Sequence, residues 1–259
     1  MSRFINLEFS DESNEQRPSG ATVAVKDEVY YLAAARTAVE DADFEQGLRH
    51  YSKVLEYNPK NISAWGGQVR MLIELGEYRE AKLWADKALE KFPNEPELLA
   101  AKAVTLGRSG DLQGALAFSD ASIEERGDTP YVWLARGDVL LARSEHRADY
   151  CFEKALLLAA HDWFTLLLAA RIRIFYQQFV LALKLISQAV SLNPGHFLVW
   201  LEQGYCQQAL GMVGAAENSF TQAQQLNPNS RAAGEALHRV AQTGIFARLG
   251  GKLRGIFKK

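Results

Sequence analysis

Residues 200–228 read WLEQGYCQQALGMVGAAENSFTQAQQLNP. Trp200, Gly204, Gly211, Ala216, Phe220, Ala223 and Pro228 stand out as an ordered series of large, small and turn-forming residues. Residues 65–93, WGGQVRMLIELGEYREAKLWADKALEKFP, repeat it with Trp65, Gly76, Ala81, Ala88 and Pro93. Between them Trp133, Gly137, Ala148, Phe152 and Ala155 repeat it again. The separations are multiples of about 34 residues, the period of stacked helical hairpins.

Working outward, the same register predicts units starting near Glu28, Ile62, Pro96, Pro130, Trp163 and Phe197, spanning residues 27–228. Each unit is read as two antiparallel helices. Small residues such as Gly204, Ala216 and Ala223 let the backbones approach, and large ones such as Trp200 and Phe220 fill what remains. Gly76, Gly110 and Gly211 fall where one helix ends and the chain turns. Asn58-Pro59, Asn193-Pro194 and Asn227-Pro228 end the second helix, because proline pushes the preceding residue out of helical geometry. The third unit is the weakest: Ser119, Ser122 and Gly127 replace packing residues, which makes a hinge there plausible. The fourth is one residue short around Ser144, Glu145 and His146. After the last unit, residues 229–243 are expected to form a capping helix with Ala233, Ala236, Leu237 and Val240 on its inner face.

The rest of the sequence excludes more than it assigns. The apolar fraction of 48% and charged fraction of 23% are those of a folded globular chain, and the net charge of −2 excludes a polyanion binder. Cys151 and Cys206 are isolated, so no disulfide framework or metal spacing is expected. Two lone thiols suit a reducing, cytoplasmic compartment. The N-terminus lacks the apolar core of a signal peptide, and no run reaches membrane-spanning length. His50, His146, His161, His196 and His238 show no metal-ligand spacing, and there is no phosphate loop or nucleophile elbow. No catalytic residue, cofactor or metal is therefore assigned. Trp65, Trp133 and Trp200 are read as core, not as a platform for bases, so nucleic-acid binding is disfavoured.

The pattern resembles the tetratricopeptide repeat family over most of the chain. That resemblance implies an all-α, right-handed solenoid of about six stacked helix hairpins, with the first helices lining a concave groove. By the family's register the groove residues are Arg36, Arg70, Glu97, Tyr131, Leu134, Asp138, Phe164, Leu167, Arg171, Leu198, Leu201 and Tyr205. This groove is expected to be basic at its N-terminal part and apolar and aromatic at its C-terminal part, suiting a peptide or helix. The Lys/Asn clamp of chaperone-binding members is not matched at Leu32, Arg36, Gly67, Glu97 and Ala101. The implied function is a non-catalytic protein-interaction scaffold or adaptor.

Both ends carry features of their own. Residues 1–26 are polar enough to predict disorder, save for a short motif of Ile5, Leu7 and Phe9. Residues 244–259 contain Arg248, Lys252, Arg254, Lys258 and Lys259 and no acid. There Phe246, Leu249, Leu253 and Phe257 fall on one helical stripe with Ile245 and Ile256. A basic amphipathic tail fits an anionic membrane surface, a partner, or the array itself. The sequence thus leaves two alternatives open: an assembly factor recruited to the inner membrane surface by this tail, and a self-associating scaffold.

Overall fold

The computed structural model describes residues 26–240 and Gln242. The apolar N-terminal motif (Ile5, Leu7, Phe9) and the tail residues Phe246, Arg248, Leu249, Lys252, Leu253, Arg254, Phe257 and Lys258 lie outside the described residues. Among the described residues there are thirteen helices and no strand. The first helices of the pairs are α1 (Glu28–Glu40), α3 (Ile62–Glu74), α5 (Pro96–Ser109), α7 (Pro130–Ala142), α9 (Trp163–Phe175) and α11 (Phe197–Ala209). Their partners are α2 (Phe44–Tyr57), α4 (Tyr78–Lys91), α6 (Leu112–Glu124), α8 (Ala148–Leu158), α10 (Phe179–Leu192) and α12 (Val213–Leu226). A last helix, α13, spans residues 231–240. The chain divides into two compact units, Met1–Ala148 and Asp149–Lys259. In the first, α1 to α6 pack in consecutive pairs and α7 stacks on α5 and α6. In the second, α9 packs on α10, α10 on α11 and α11 on α12.

The small positions do what close packing asks of them. Ala35, Ala81, Ala88, Ala115, Ala182, Ala189, Ala216 and Ala223 are all fully buried. A Cβ built on Gly204 would sit 2.4 Å from the Phe220 ring, and one on Gly67 would sit 2.4 Å from that of Tyr51. Those glycines are therefore contact surfaces for aromatic rings.

Two turn devices explain which residues recur and which do not. Every junction from first to second helix uses one left-handed residue: Ala42, Gly76, Gly110, Ser144, Gln177 and Gly211, with φ between 57° and 97°. Only three are glycine, so the αL requirement is constant while the residue meeting it varies. The exits from the second helices take two forms. Before Pro59, Pro93, Pro194 and Pro228, the residues Asn58, Phe92, Asn193 and Asn227 leave the helix extended, with ψ from 68° to 88°. Where proline is missing, Arg126 and His161 turn the chain with positive φ instead.

The recurrent tryptophan belongs to the same loops. Trp65 Nε1 donates to the Pro59 carbonyl at 3.0 Å and Trp200 Nε1 to the Pro194 carbonyl at 2.8 Å. Trp133 has no such proline and donates to Asp128 Oδ1 at 2.9 Å. Of the three, only Trp65 is buried in the core. Trp133 and Trp200 are half-buried, and each clamps the loop before its own helix.

The stacking of one hairpin on the next carries a polar ladder between residues 16 apart. Gln68 Nε2 donates to Ser52 Oγ at 2.7 Å, Lys102 pairs with Asp86, Arg136 donates to Asp120 at 2.8 Å, and Gln203 Nε2 donates to Ser187 Oγ at 3.4 Å. At the α8–α9 step the ladder lapses at Ala169, and Arg173 of α9 instead pairs with Asp149 of α8 at 2.7 Å.

In repeat three the residues that replace the signature positions are themselves bonded or closely packed. Ser122 Oγ donates to the Pro96 carbonyl at 2.9 Å, and Ser119 Oγ accepts from Arg136 at 3.1 Å. Gly127 is buried, and a Cβ there would lie 2.5 Å from the Ser122 carbonyl oxygen. The fourth unit, one residue short in its internal turn, absorbs the loss in its second helix. α8 begins only at Ala148 and is 11 residues long, so the first turn of the helix is lost. The linking segment is tied by Glu145, which accepts from Arg143 at 2.7 Å and Arg147 at 2.6 Å. Those two bonds hold the Glu145 carboxyl below its usual range.

Candidate functional site

The candidate surface is the face of the first helices, taken separately in each unit. In the first unit α1, α3, α5 and α7 present Arg36, Arg70, Glu97, Tyr131, Leu134 and Asp138. Arg36 is exposed. Arg70 lies flat, its guanidinium 4.4 Å from the centre of the Tyr131 ring and 3.6 Å from the Glu97 carboxylate. Its Nε also donates to the Gly66 carbonyl at 3.3 Å. A Cβ at Gly66 would stand 3.5 Å from the guanidinium, an ordinary contact distance. Glu97 in turn accepts from Thr129 Oγ1 at 3.0 Å. Deeper, Arg108 donates to Asp138 Oδ2 from Nε at 3.0 Å and from a terminal nitrogen at 2.7 Å, with Glu74 4.0 Å away. Burial raises the phenol pKa values of Tyr131 and Tyr51, against the opposing pull of Arg70.

These contacts correct two expectations. Arg70 is not part of an open basic patch, because Glu97 neutralises it and Tyr131 covers it. Asp138 and Leu134 keep only 1% and 2% of their surface, so neither can touch a partner without the unit opening.

In the second unit α9 and α11 present Phe164, Leu167, Arg171, Leu198, Leu201 and Tyr205. Leu167, Leu198 and Leu201 are likewise buried, because each packs between helices instead of facing outward. Arg171 pairs with Glu202 across the two helices. Tyr205 meets Phe220 edge to face at 5.3 Å and is hydrogen-bonded to Arg239 of α13. Burial, the largest influence, raises the Tyr205 phenol pKa. At the opening ends of the helices the aromatic side chains stay partly accessible. Trp163 stacks on His196 at 4.6 Å and meets Phe164 at 5.5 Å, and His196 stacks on Phe197 at 5.5 Å. His196 Nδ1 accepts the Leu198 N–H at 3.3 Å, so the imidazole serves as the N-cap of α11. The expected groove set included Phe164 but missed Trp163, His196 and Phe197. Their clustering at two successive helix starts, one period apart, was the signal that could have found them.

No group of three or more potential metal ligands occurs among the described residues. Cys206 is buried, and burial together with the Glu202 charge pushes its thiol up to about 12. An open pocket of about 380 Å³ lies at the α8–α9 junction, lined by Leu156, Asp162, Leu166, Gln188, Ser191 and Leu192 among others. Its one carboxylate, Asp162, is engaged in capping α9 by accepting from Thr165 N at 3.0 Å. No described helix is long and apolar enough to cross a membrane.

These features together define an all-α protein built of helical hairpins. A family model described as tetratricopeptide repeat matches residues 38–105, from the end of α1 through most of α5. Over those residues the chain matches that model, and its other described helices continue the same all-α hairpin architecture. It is 21% identical over 192 residues to the BBSome complex member BBS4 of Bos taurus, a match covering 74% of this chain and 37% of that protein. The fold is similar to a tetratricopeptide repeat protein of Parabacteroides merdae, with a TM-score of 0.53 at 16% identity, covering 84% of this chain and 85% of that one. It is also similar to human IFIT1, solved as a dimer with m7Gppp-AAAA, with a TM-score of 0.52 at 18% identity and coverage of 88% and 59%. The chain thus spans well under two thirds of the curated relative it matches.

Proposed function

We propose that this protein is a non-catalytic interaction scaffold that captures a peptide or helix on the faces of its first helices. One observation carries the reading. Polar groups on those faces are largely spent on the fold, in Arg70–Glu97, Arg108–Asp138, Arg171–Glu202 and Tyr205–Arg239, while an accessible aromatic row remains at Trp163, Phe164, His196 and Phe197. Aromatic anchors of this kind dominate protein contacts, and rings spaced along a groove suit an extended peptide with apolar or proline side chains. In the first unit, taken by itself, the exposed Arg36 offers a contact for acidic side chains. Similar folds include a protein solved with m7Gppp-AAAA, so the fold by itself leaves the ligand open. The paired state of the groove arginines favours protein over nucleic acid, which asks for unneutralised cations. The membrane-recruited reading rests on residues 244–259 and concerns where the scaffold works, not what its helix faces bind.

The test is a displayed peptide library selected on the full chain, followed by photo-crosslinking of a selected peptide. Crosslinks to Trp163, Phe164 or Phe197, with binding lost in Phe164→Ala while helicity is kept, support groove capture. Crosslinks confined to α8, α10 or α12 place the site on the second helices and overturn it.

A further inference from the structure

Five of the six first helices open on a side-chain cap. Asp27, Asn61, Thr129 and Asp162 serve α1, α3, α7 and α9, and His196 serves α11. Histidine is the side-chain type that changes charge between about pH 5 and pH 8. The α11 cap is made by one charge state only. His196 Nδ1 accepts the Leu198 N–H at 3.3 Å, which takes the lone pair of a neutral ring whose proton sits on Nε2. A second proton, on Nδ1, turns that acceptor into a donor facing a donor. It also sets a positive charge at the helix end where the aligned peptide dipoles are already positive. Leu198 keeps only 3% of its surface, so water has little access to the N–H left behind.

The same imidazole links the two parts of the aromatic row. It stands 4.6 Å from the Trp163 ring at the start of α9 and 5.5 Å from the Phe197 ring at the start of α11. Charged groups on the surrounding elements are few. Asp162, which opens α9, accepts from Phe164 N at 3.2 Å and Thr165 N at 3.0 Å, and His161 precedes it. The one charged residue of α10 is Lys184, about two turns before that helix ends. On α11 Glu202 is paired with Arg171 of α9, and at the start of α13 Arg231 bonds Glu235. Stacking on Trp163 attracts an imidazolium through the ring face. That attraction favours the ring's place on Trp163 and leaves the lost acceptor unreplaced, so ring and helix end part. Two bonds that do not use the imidazole limit the opening to the first turn. Trp200 Nε1 donates to the Pro194 carbonyl at 2.8 Å, and the His196 N–H donates to the Asn193 carbonyl at 3.3 Å.

We propose that His196 is a pH-sensitive latch on the opening turn of α11. Neutral, it holds that turn and keeps the row from Trp163 to Phe197 continuous. Protonated, it releases the Leu198 N–H, the first turn frays, and Phe197 leaves the row. Acidification therefore weakens capture of an apolar peptide at these rings. That consequence rests on the reading of the row as a peptide site; the latch itself does not.

The experiment follows the full chain between about pH 8 and pH 5. Imidazole nitrogen shifts at the upper pH should show the proton of His196 on Nε2; a proton on Nδ1 there overturns the proposal. Amide protection at Leu198, corrected for the intrinsic exchange rate, should fall roughly fivefold at the lower pH, within the range for a lost N-cap. His196→Asn supplies a cap acceptor that does not titrate and should keep its protection at both values. Equal wild-type protection at both values overturns the latch, and so does the same fall in His196→Asn. The selected peptide that crosslinks to the row should bind the wild type at least roughly threefold more weakly at the lower pH, and His196→Asn equally at both. Unchanged wild-type affinity while the latch opens overturns the control of binding. If no peptide binds the row at either pH, the groove reading fails, and the exchange result still decides the latch.

Discussion

Replacing Asp138 by alanine is the sharpest way to separate a structural carboxylate from a ligand-binding one. Asp138 and Arg108 retain 1% and 7% of their side-chain surface, and two charge-assisted hydrogen bonds of 3.0 and 2.7 Å join them. Removing the carboxylate leaves a buried guanidinium with the Glu74 carboxylate 4.0 Å away. Breaking one side of such a pair costs about 3–5 kcal/mol. The double variant Arg108→Met/Asp138→Leu removes both charges and keeps apolar volume. It should recover most of that loss and fall within about 1–2 kcal/mol of the wild type. Urea unfolding, followed by circular dichroism and by hydrogen exchange of α5 and α7, gives both numbers. Two probes are needed because repeat arrays need not unfold in one step. An Asp138→Ala protein within about 0.5 kcal/mol of the wild type would refute the buried-pair argument, since that is the range of neutral surface changes.

Three further predictions use the same unfolding assay. Gly204→Ala should destabilise by about 1–3 kcal/mol, because the new methyl meets the buried Phe220 ring. Gln177→Gly should stabilise by up to about 1 kcal/mol, because Gln177 is held at φ 59° and glycine removes the left-handed penalty while losing more chain entropy. Above pH 9 the stability should fall. In the unfolded chain Cys206 ionises near its ordinary value of 9.0, whereas the folded thiol stays protonated until about 12, so the native state binds more protons across that interval. That contribution is complete below pH 9 and is lost as pH rises through about 12. A Cys206→Ala variant should show a flatter alkaline profile, and an identical profile would remove Cys206 as the cause.

The hairpin pattern was legible because packing acts on residue size at fixed spacing. Ala81, Ala88, Ala216 and Ala223 announce buried positions wherever they occur, and Asn-Pro announces a helix exit. The turns of the first, fourth and fifth pairs were harder to read, because an αL residue that is not glycine looks like any other residue. Ala42, Ser144 and Gln177 carry no mark of their φ. The groove was the least legible part. A register derived from a repeat tells which side of a helix a residue occupies, but not how much of that side the next helix covers. Leu167 and Leu198 stand on the expected face and are nonetheless buried, while Trp163 and His196 stand at the helix starts and stay reachable. Pairing is invisible too: nothing local to Arg70 predicts that Tyr131, two first helices later, will cover it.

That difference bears on how a partner should be sought. A variant that places glutamate at Leu198 would bury a charge and unfold the second unit, so lost binding would say nothing about a groove. Substitution at Phe164 or Phe197 removes accessible ring surface and leaves the Arg171–Glu202 pair in place. A self-neutralised first-helix face also alters what affinity should depend on. Where Arg70 is already paired, an acidic partner gains only by exchanging one carboxylate for another, and the net gain is small. Where the rings at Trp163, Phe164, His196 and Phe197 remain half-exposed, each apolar contact gains the transfer free energy of the area it covers, at about 25 cal/mol per Å². Binding driven that way should survive added salt, and binding driven by Arg36 should not. A selected peptide whose affinity holds as salt is raised therefore sits on the aromatic row of the second unit, and one that salt releases sits beside Arg36 in the first.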